Sequence, residues 1–347
     1  LSTRWIGQGP MVDKFEKKFS QIFLNGKECV STGSGTDALH LAYILAGIKK
    51  NDEVIAPVFT CTATNIPLLY IGAKIKFVDV NPQTMNIDIN DLKKKISKKT
   101  KAIICVHYGG IPCDMSEINK LAKKYKIKVI EDAAQALGGK YNKKNIGTIS
   151  DFTVFSFQAI KHITTGDGGM LCVKDKRLIE KAKRIRWFGI DRKQKQLGIW
   201  GNDIKEIGYK YQLTDLGASV GYQSLIDFKK IISHRIKIYN IYLNNLSKNP
   251  NITCVHDFDP KKKYAAWLFT ILTEKKDYLQ KKLREKNIET NQVHFRNDKY
   301  TIFKKFVKRQ VFKNMDIIED KYLVLPIHTK VSEKDANYIC KLINSYI

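Results

Sequence analysis

Three stretches of this sequence carry side chains able to do chemistry, and each stands where an apolar run ends. The longest is Ser156-Phe157-Gln158-Ala159-Ile160-Lys161-His162-Ile163-Thr164-Thr165-Gly166-Asp167-Gly168-Gly169. A lone Lys leaves an apolar strand pattern there and meets a Thr/Gly loop. Most lysines of the chain read as solvated surface, but Lys161 has a Ser five residues before it and a Gly-rich turn just after. A lysine desolvated in such a place has a lowered pKa and can form a Schiff base. The second stretch, Glu131-Asp132-Ala133-Ala134-Gln135, follows the apolar run IKVI. An acid buried at a strand's carboxyl end is costly without a cationic partner, so Asp132 could pair with a protonated ring nitrogen. Taken alone, it reads better as an N-cap. The third stretch, Ser31-Thr32-Gly33-Ser34-Gly35-Thr36-Asp37, lies between a strand pattern and an apolar helix. Small residues let backbone N–H groups approach an anion, and a helix N-terminus adds partial positive charge. The stretch lacks the GK[ST] of a Walker loop and the GxGxxG spacing. Alone it is equally a tight turn with Ser/Thr capping.

The elements that must position these residues are legible in the apolar pattern. ECVSTG, DEVIAPV, KIKFVDV, KAIICVHY, IKVIEDA, DFTVFSF and GMLCVK read as strands. DALHLAYILAG, INDLKKKISKK and MSEINKLAKKY carry apolar residues at helical spacing. Strands apolar on both faces, alternating with helices, predict an α/β fold with a mostly parallel sheet over about residues 28–175. Binding residues then belong in the loops at the strands' carboxyl ends. Residues 176–225 read as helical and looped, and a long helix is expected over about 214–246. After it come ITCVHDF and AAWLFTILT, the helix DYLQKKLREKN, then NQVHF, and a closing helix in VSEKDANYICKLINSYI. We divide the chain into a large domain over 1–230 and a smaller α+β domain over 231–347.

The 347 residues carry 61 Lys plus Arg against 34 Asp plus Glu, a formal net charge of +27. Such an excess can mark a nucleic-acid or anionic-surface partner. Here the lysines are spread along helices, which fits a compositional bias, and an anionic small substrate such as a nucleotide is a milder use for them. No RNP-like interleaving of aromatic and basic residues and no helix-turn-helix signal is present. No apolar run approaches the roughly 20 residues needed to cross a bilayer. The start, LSTRWIGQGP, has no signal-peptide core, and a chain beginning with Leu leaves room for residues upstream. The seven cysteines are scattered and form no CxxC pair, which speaks against a zinc site or disulfide framework and for a reducing compartment. We therefore expect no metal, no nucleic-acid partner, no membrane insertion and a cytoplasmic location.

The order of the three stretches says more than any one of them. An anion cradle, then a strand-end Asp, then Ser-x4-Lys with a Gly-rich loop is the order expected for pyridoxal 5′-phosphate (PLP) in an aminotransferase-type fold. That cofactor needs a phosphate cradle, an acid at its pyridine nitrogen and a lysine for the imine.

On these residues the chain resembles the DegT/DnrJ/EryC1/StrS family of PLP-dependent nucleotide-sugar aminotransferases. The resemblance runs over nearly the whole chain, through WIGQGPMVDKFEKKF, SGTDALHLA, NDEVIAP, YIGAKIKFVDV, EDAAQALGG, SFQAIKHITTGDGG, GYKYQLTD and LPIH. It implies PLP fold type I, with a mostly parallel seven-stranded sheet flanked by helices plus a smaller C-terminal α+β domain. It places Lys161 on the lysine of the internal aldimine and Asp132 on the acid at the pyridinium nitrogen. Gln135 falls where the cofactor ring's oxygen is contacted. Ser34, Gly35 and Thr36 fall on the phosphate cradle, with Ser156 adding its hydroxyl. The family is a homodimer with shared active sites, in which a partner loop reaches the phosphate.

Three positions depart from the family pattern. Cys61, in Pro57-Val58-Phe59-Thr60-Cys61, stands where an aromatic usually stacks on the cofactor, so either Cys61 or Phe59 covers the ring. The partner loop reads Gly208-Tyr209-Lys210-Tyr211-Gln212; Lys210 would meet phosphate as a charge, and Gln212 removes a guanidinium. Asp167 replaces the usual Glu.

The resemblance implies a ping-pong exchange between the PLP and PMP forms, with L-glutamate as donor and 2-oxoglutarate as product. The acceptor is a nucleoside-diphosphate-linked keto-6-deoxy sugar, best a 4-keto-6-deoxyhexose giving a viosamine- or perosamine-like product. Gln8, His107, His162, His294 and Arg296 are candidates for sugar or diphosphate contacts. The alternatives are a 3-keto-sugar aminotransferase and a PLP-dependent sugar dehydratase, whose members carry His in place of the lysine. From another class, the alternative is a basic nucleic-acid-binding protein.

Overall fold

Seven apolar runs form one sheet in the computed structural model, which describes residues 6–199, 201, 203–307 and 310–347. Trp5, which opens the first family motif, lies outside the described residues. The strands are β1 (Cys29–Thr32), β2 (Glu53–Pro57), β3 (Lys74–Val78), β4 (Thr100–Val106), β5 (Lys128–Asp132), β8 (Phe152–Ser156) and β9 (Gly169–Val173). Their order across the sheet is β1-β9-β8-β5-β4-β2-β3. The pairs β2–β3, β2–β4, β4–β5 and β5–β8 are parallel, and β9 runs antiparallel to both its neighbours. Strand residues are buried on both faces, as a sheet covered by helices requires.

Those helices are α1 (Pro10–Phe23), α2 (Gly35–Leu45), α3 (Thr62–Ile71), α4 (Ile89–Lys95), α5 (Met115–Tyr125) and α6 (Ile179–Ile185); the short α7 (Arg192–Gln196) buries no residue. One face of the sheet packs on α2, through Leu39, Leu41 and Tyr43. The other packs on Phe15, Phe19 and Phe23 of α1 and on Ile118 of α5. α1 has no side-chain cap of its own. Asp215 supplies one from far along the chain, its carboxylate accepting the N–H groups of Gly9, Met11 and Val12 at 2.8, 3.1 and 3.0 Å.

Asp215 opens α8 (Asp215–Leu246), a single helix of 32 residues. Its first half packs on α1 and the sheet through Ala218, Leu225 and Phe228. Its second half packs into a separate core through Ile238, Tyr239, Tyr242 and Leu246. A division at 230/231 is thus a proposal about packing partners along one unbroken helix. That second core also holds α9 (Lys276–Arg284), α11 (Glu333–Tyr346) and a small antiparallel sheet of β10 (Thr253–Cys254), β12 (Phe269–Leu272) and β13 (Tyr322–Leu325). Phe303, and Met315 of α10 (Lys313–Ile318), instead join the core of the seven-stranded sheet.

Two details differ from the apolar pattern. NQVHF is not a strand; only Asn291 makes an isolated bridge, to Val324. In AAWLFTILT the strand begins at Phe269, because the N–H groups of Ala265, Trp267 and Leu268 donate to the carbonyls of Gly110 and Gly109. A further small sheet, with no apolar signature, joins β6 (Lys140–Tyr141) and β7 (Lys144–Asn145) to β11 (Lys262–Lys263). No described helix is long and apolar enough to cross a membrane.

Removing the Asp215 carboxylate strands three N–H groups at the start of α1. Asp215→Ala is expected to cost about 2–4 kcal/mol in urea-induced unfolding of the full chain.

Candidate active site

The carboxyl ends of β1, β2, β4, β5 and β8 share one edge of the sheet, and antiparallel β9 starts there. Asp132 closes β5 at this edge and is buried. Its Oδ2 accepts the Thr64 hydroxyl at 2.7 Å, and its Oδ1 accepts the Ala134 N–H at 3.1 Å. Thr64 is held in turn by the Thr60 hydroxyl at 2.8 Å, and its carbonyl accepts the Tyr43 hydroxyl at 2.7 Å. Both oxygens of Asp132 are therefore tied into the protein, and its charge also pushes up the buried Tyr43 phenol, second to burial itself.

Lys161 stands in the loop after β8, partly buried. Burial lowers its pKa, while the nearby Asp132 and Cys61 act in the opposite sense. Its Nζ lies 4.0 Å from the centroid of the Trp267 ring.

The third component is the start of α2. Ser34 is its N-cap, accepting the Asp37 N–H at 3.0 Å. Gly35 and Thr36 occupy the first helical positions, whose N–H groups have no acceptor within a helix. A Cβ on Gly35 would come 3.0 Å from the Ser156 Cβ, so the glycine and the Ser156 hydroxyl share one small cradle. At Gly169 a Cβ would stand 2.4 Å from the Ser34 carbonyl oxygen. Only glycine lets β9 run this close beneath the helix start.

Gln135 is buried above Asp132. Its Oε1 accepts the Gly109 N–H at 2.7 Å, and its Nε2 donates to His294 Nε2 at 3.1 Å. Burial, and then the charge of Lys161, hold the His294 imidazole down at about 4. His294 is therefore a neutral ring at the site.

The other expected contacts divide sharply. Cys61 is exposed at the start of α3, whereas Phe59 is buried against Tyr108, His294 and Tyr322. Of the two, Cys61 alone is free to face a bound ring. His107 is fully enclosed: Nε2–H donates to Glu131 at 2.9 Å, and Nδ1 accepts the Cys113 N–H at 3.0 Å. With neither nitrogen left for a sugar hydroxyl, it leaves the substrate set. His162 turns away from Lys161 and donates from Nε2 to the Ala265 carbonyl at 2.6 Å. That removes it both as a sugar contact and as a substitute for the lysine. Arg296 is buried among Asp298, Asp316 and Glu319, which hold its guanidinium well above its ordinary range despite burial. It has no fork left for a diphosphate.

Gln8 lies elsewhere, in a cavity of about 350 Å³ beside α1. There its Oε1 accepts from Arg192 at 3.0 Å. Lys210 is exposed, with Nζ 3.9 Å from the Trp187 centroid, and so is not at the cradle of its own chain. The backbone of its loop nevertheless leans on that cradle, for the Gly33 N–H donates to the Tyr211 carbonyl at 2.7 Å. The Gln212 Oε1 is buried without a partner. Asp167 is exposed, and its carbonyl accepts the Thr165 hydroxyl. Thr64 and Trp267 were missed from sequence: one is a Thr among several, the other an aromatic in what reads as a strand. Among the described residues there is no cluster of His, Cys, Asp or Glu fit to hold a metal.

The chain as a whole has known counterparts. A model of the DegT/DnrJ/EryC1/StrS aminotransferase family matches residues 1–344. This chain belongs to that family. It is 35% identical to a GDP-perosamine synthase of Escherichia coli O157:H7, over 100% of this chain and 93% of that protein. It is 33% identical to a UDP-4-amino-4,6-dideoxy-N-acetyl-beta-L-altrosamine transaminase of Campylobacter jejuni, over 95% of this chain and 88% of that protein. The solved PMP form of Spr1654 from Streptococcus pneumoniae has a TM-score of 0.90 at 26% identity, covering 99% of this chain and 93% of that one. Its PLP form has a TM-score of 0.89, also at 26% identity, covering 99% and 92%. The protein is a sugar aminotransferase that uses PLP and PMP. The residues present fit that cofactor: a cradle in which a Cβ at Gly35 would crowd Ser156, a buried acid fixed by hydrogen bonds, and a lysine whose ammonium is disfavoured by burial.

Two outcomes follow. Thr64→Val removes the hydroxyl that fixes Asp132 and should weaken PLP binding by roughly tenfold or more, read by absorbance titration of the cofactor-free protein. Burial, Arg235 and Lys161 depress the His162 pKa to about 3, against about 6.5 in an unfolded chain. The unfolded state then takes up a proton below about pH 6.5 that the folded state refuses, so stability falls as pH drops, by about 1.4 kcal/mol per unit. Urea unfolding at pH 7 and pH 5 reads this loss, which His162→Gln should reduce.

Proposed function

We propose that this enzyme moves the amino group of L-glutamate onto a nucleoside-diphosphate-linked 4-keto-6-deoxyhexose, yielding a viosamine- or perosamine-like sugar. The observation that carries the amino-transfer chemistry is the convergence of Asp132, Lys161, Ser156 and the open start of α2 on one sheet edge. Carbon 4 is favoured by the relatives, one a perosamine synthase and the other acting to form a 4-amino-4,6-dideoxy sugar nucleotide.

In this reading Gly35, Thr36 and Ser156 hold the phosphate, while Asp132 keeps a proton at the pyridine nitrogen. When bound, PLP supplies a carbonyl for the lysine and an electron-withdrawing ring that weakens the donor's Cα–H bond. Lys161 takes that proton at Nζ and returns it, as general base and then acid. Its lowered pKa leaves more of the freed lysine as amine, the form that accepts the proton. Gln135, steadied by Gly109 and His294, would meet the ring's oxygen. Glutamate leaves as 2-oxoglutarate, and the keto sugar then receives the nitrogen. We read the working form as a homodimer, with the exposed Lys210 of one copy reaching the phosphate of the other as a point charge.

The test is a visible spectrum of the PLP-loaded protein before and after L-glutamate, beside Lys161→Ala, followed by GDP-, UDP- and dTDP-linked 4-keto-6-deoxyhexoses. Glutamate should convert the spectrum to that of the aminated cofactor in the wild type alone, and one of the sugars should reverse it. Product NMR should place nitrogen on C4. Nitrogen on C3, or no response to glutamate, overturns the proposal.

A further inference from the structure

Residues 160–162 are gripped one after another by a single segment from the C-terminal part of the chain. The Trp267 Nε1–H donates to the Ile160 carbonyl at 3.2 Å. The Lys161 Nζ sits 4.0 Å from the Trp267 ring centroid. The His162 Nε2–H donates to the Ala265 carbonyl at 2.6 Å. Trp267 is itself held hard: only 6% of it is exposed, its N–H donates to the Gly109 carbonyl at 3.0 Å, and its carbonyl accepts from Arg235 at 3.2 Å.

A tryptophan that merely filled a core would present its ring to apolar neighbours. Here the face is turned to a cation, and the quadrupole of an indole attracts an ammonium most strongly of the aromatic rings. A lysine has a long flexible stem and many rotamers. Each time amino transfer frees it, it must be kept from wandering and yet remain able to return. We propose that Trp267 is the positioning residue for Lys161: its ring face receives the free lysine in its protonated form, and its Nε1–H fixes the backbone from which that side chain swings. This rests on the reading of Lys161 as the cofactor lysine.

The surroundings of Lys161 set the sign of the effect. Asp132 faces it from the end of β5 and Cys61 from the start of α3. His294 faces it from the C-terminal segment, and His162 is its neighbour in sequence; the charge of Lys161 pushes both imidazoles down. Burial disfavours the ammonium, whereas Asp132 and the Trp267 face favour it. Loss of the ring therefore makes the lysine easier to deprotonate.

The experiment uses full-length protein freed of cofactor, in wild-type, Trp267→Phe and Trp267→Leu forms. Trinitrobenzenesulfonate labelling across pH, followed at the peptide bearing Lys161 by mass spectrometry, gives the lysine's titration midpoint. Trp267→Leu should lower that midpoint by about one pH unit, and Trp267→Phe, which keeps a ring face, by less. An unchanged midpoint in Trp267→Leu, or equal shifts in both variants, overturns the proposal. Should Trp267→Leu fail to fold, tryptophan fluorescence decides. A pH-dependent emission component should be present in the wild type after subtraction of the Trp267→Phe signal, which removes the contribution of Trp187 beside Lys210, and absent from Lys161→Met treated in the same way. Its persistence in Lys161→Met overturns the proposal. Neither readout uses glutamate or a keto sugar, so failure here is distinct from failure of amino transfer.

Discussion

A carboxylate withdrawn from water at the end of a strand needs hydrogen-bond donors in place of the water it loses. Asp132 is met from within the chain at both oxygens, by the Thr64 hydroxyl and the Ala134 N–H. Much of the neighbouring structure serves this one group. Thr64 stands where it does because α3 begins there, and α3 is pinned by Asn65, whose Nδ2 donates to Asn297 at 2.8 Å. Asn297 in turn donates to the Thr60 carbonyl, also at 2.8 Å. The acid thus acquires a fixed direction. Under the proposed function, that direction serves a protonated ring nitrogen.

The same edge is shaped by close backbone approach. Gly169 brings β9 against the start of α2 at a distance no Cβ would permit, and Gly35 lets Ser156 approach more closely than most side chains would. Gly110, at φ 90°, does similar service on the opposite flank. A Cβ there would meet the Gln135 carbonyl oxygen at 2.9 Å and the Ala265 Cβ at 3.0 Å. The C-terminal segment is admitted to the site through that gap, carrying Trp267 and, further on, His294. Neither part of the chain holds a whole site.

How much of this the sequence discloses depends on the range of the interaction. The seven sheet strands stand out because a strand buried on both faces must be apolar throughout. Ser34, Asp132, Ser156 and Lys161 are legible because each sits where such a run stops. Thr64 is not, since its partner Asp132 lies 68 residues away and nothing local distinguishes it from Thr60 or Thr62. The polar residues misread as substrate contacts err in the other direction. His107 and Arg296 have the chemistry to bind a sugar nucleotide, but Glu131 on one side and three carboxylates on the other already employ them. A residue type advertises capacity; only packing shows whether that capacity is spent. NQVHF reads as a strand by alternation, yet its place is at the site, where His294 is needed as a side chain rather than as a rung of a ladder.

The unbroken α8 has a mechanical meaning. A rod of 32 residues is about 48 Å long at 1.5 Å per residue. It is moored to the start of α1 at one end and embedded in the second core at the other. The rod thus joins the second core to Asp215, and through it to the N-terminus of α1. The two halves of the chain therefore lack the slack joint that would let them behave as exchangeable modules. A lineage altering the C-terminal half to suit a new sugar would have to do so by changing side chains and loops in place.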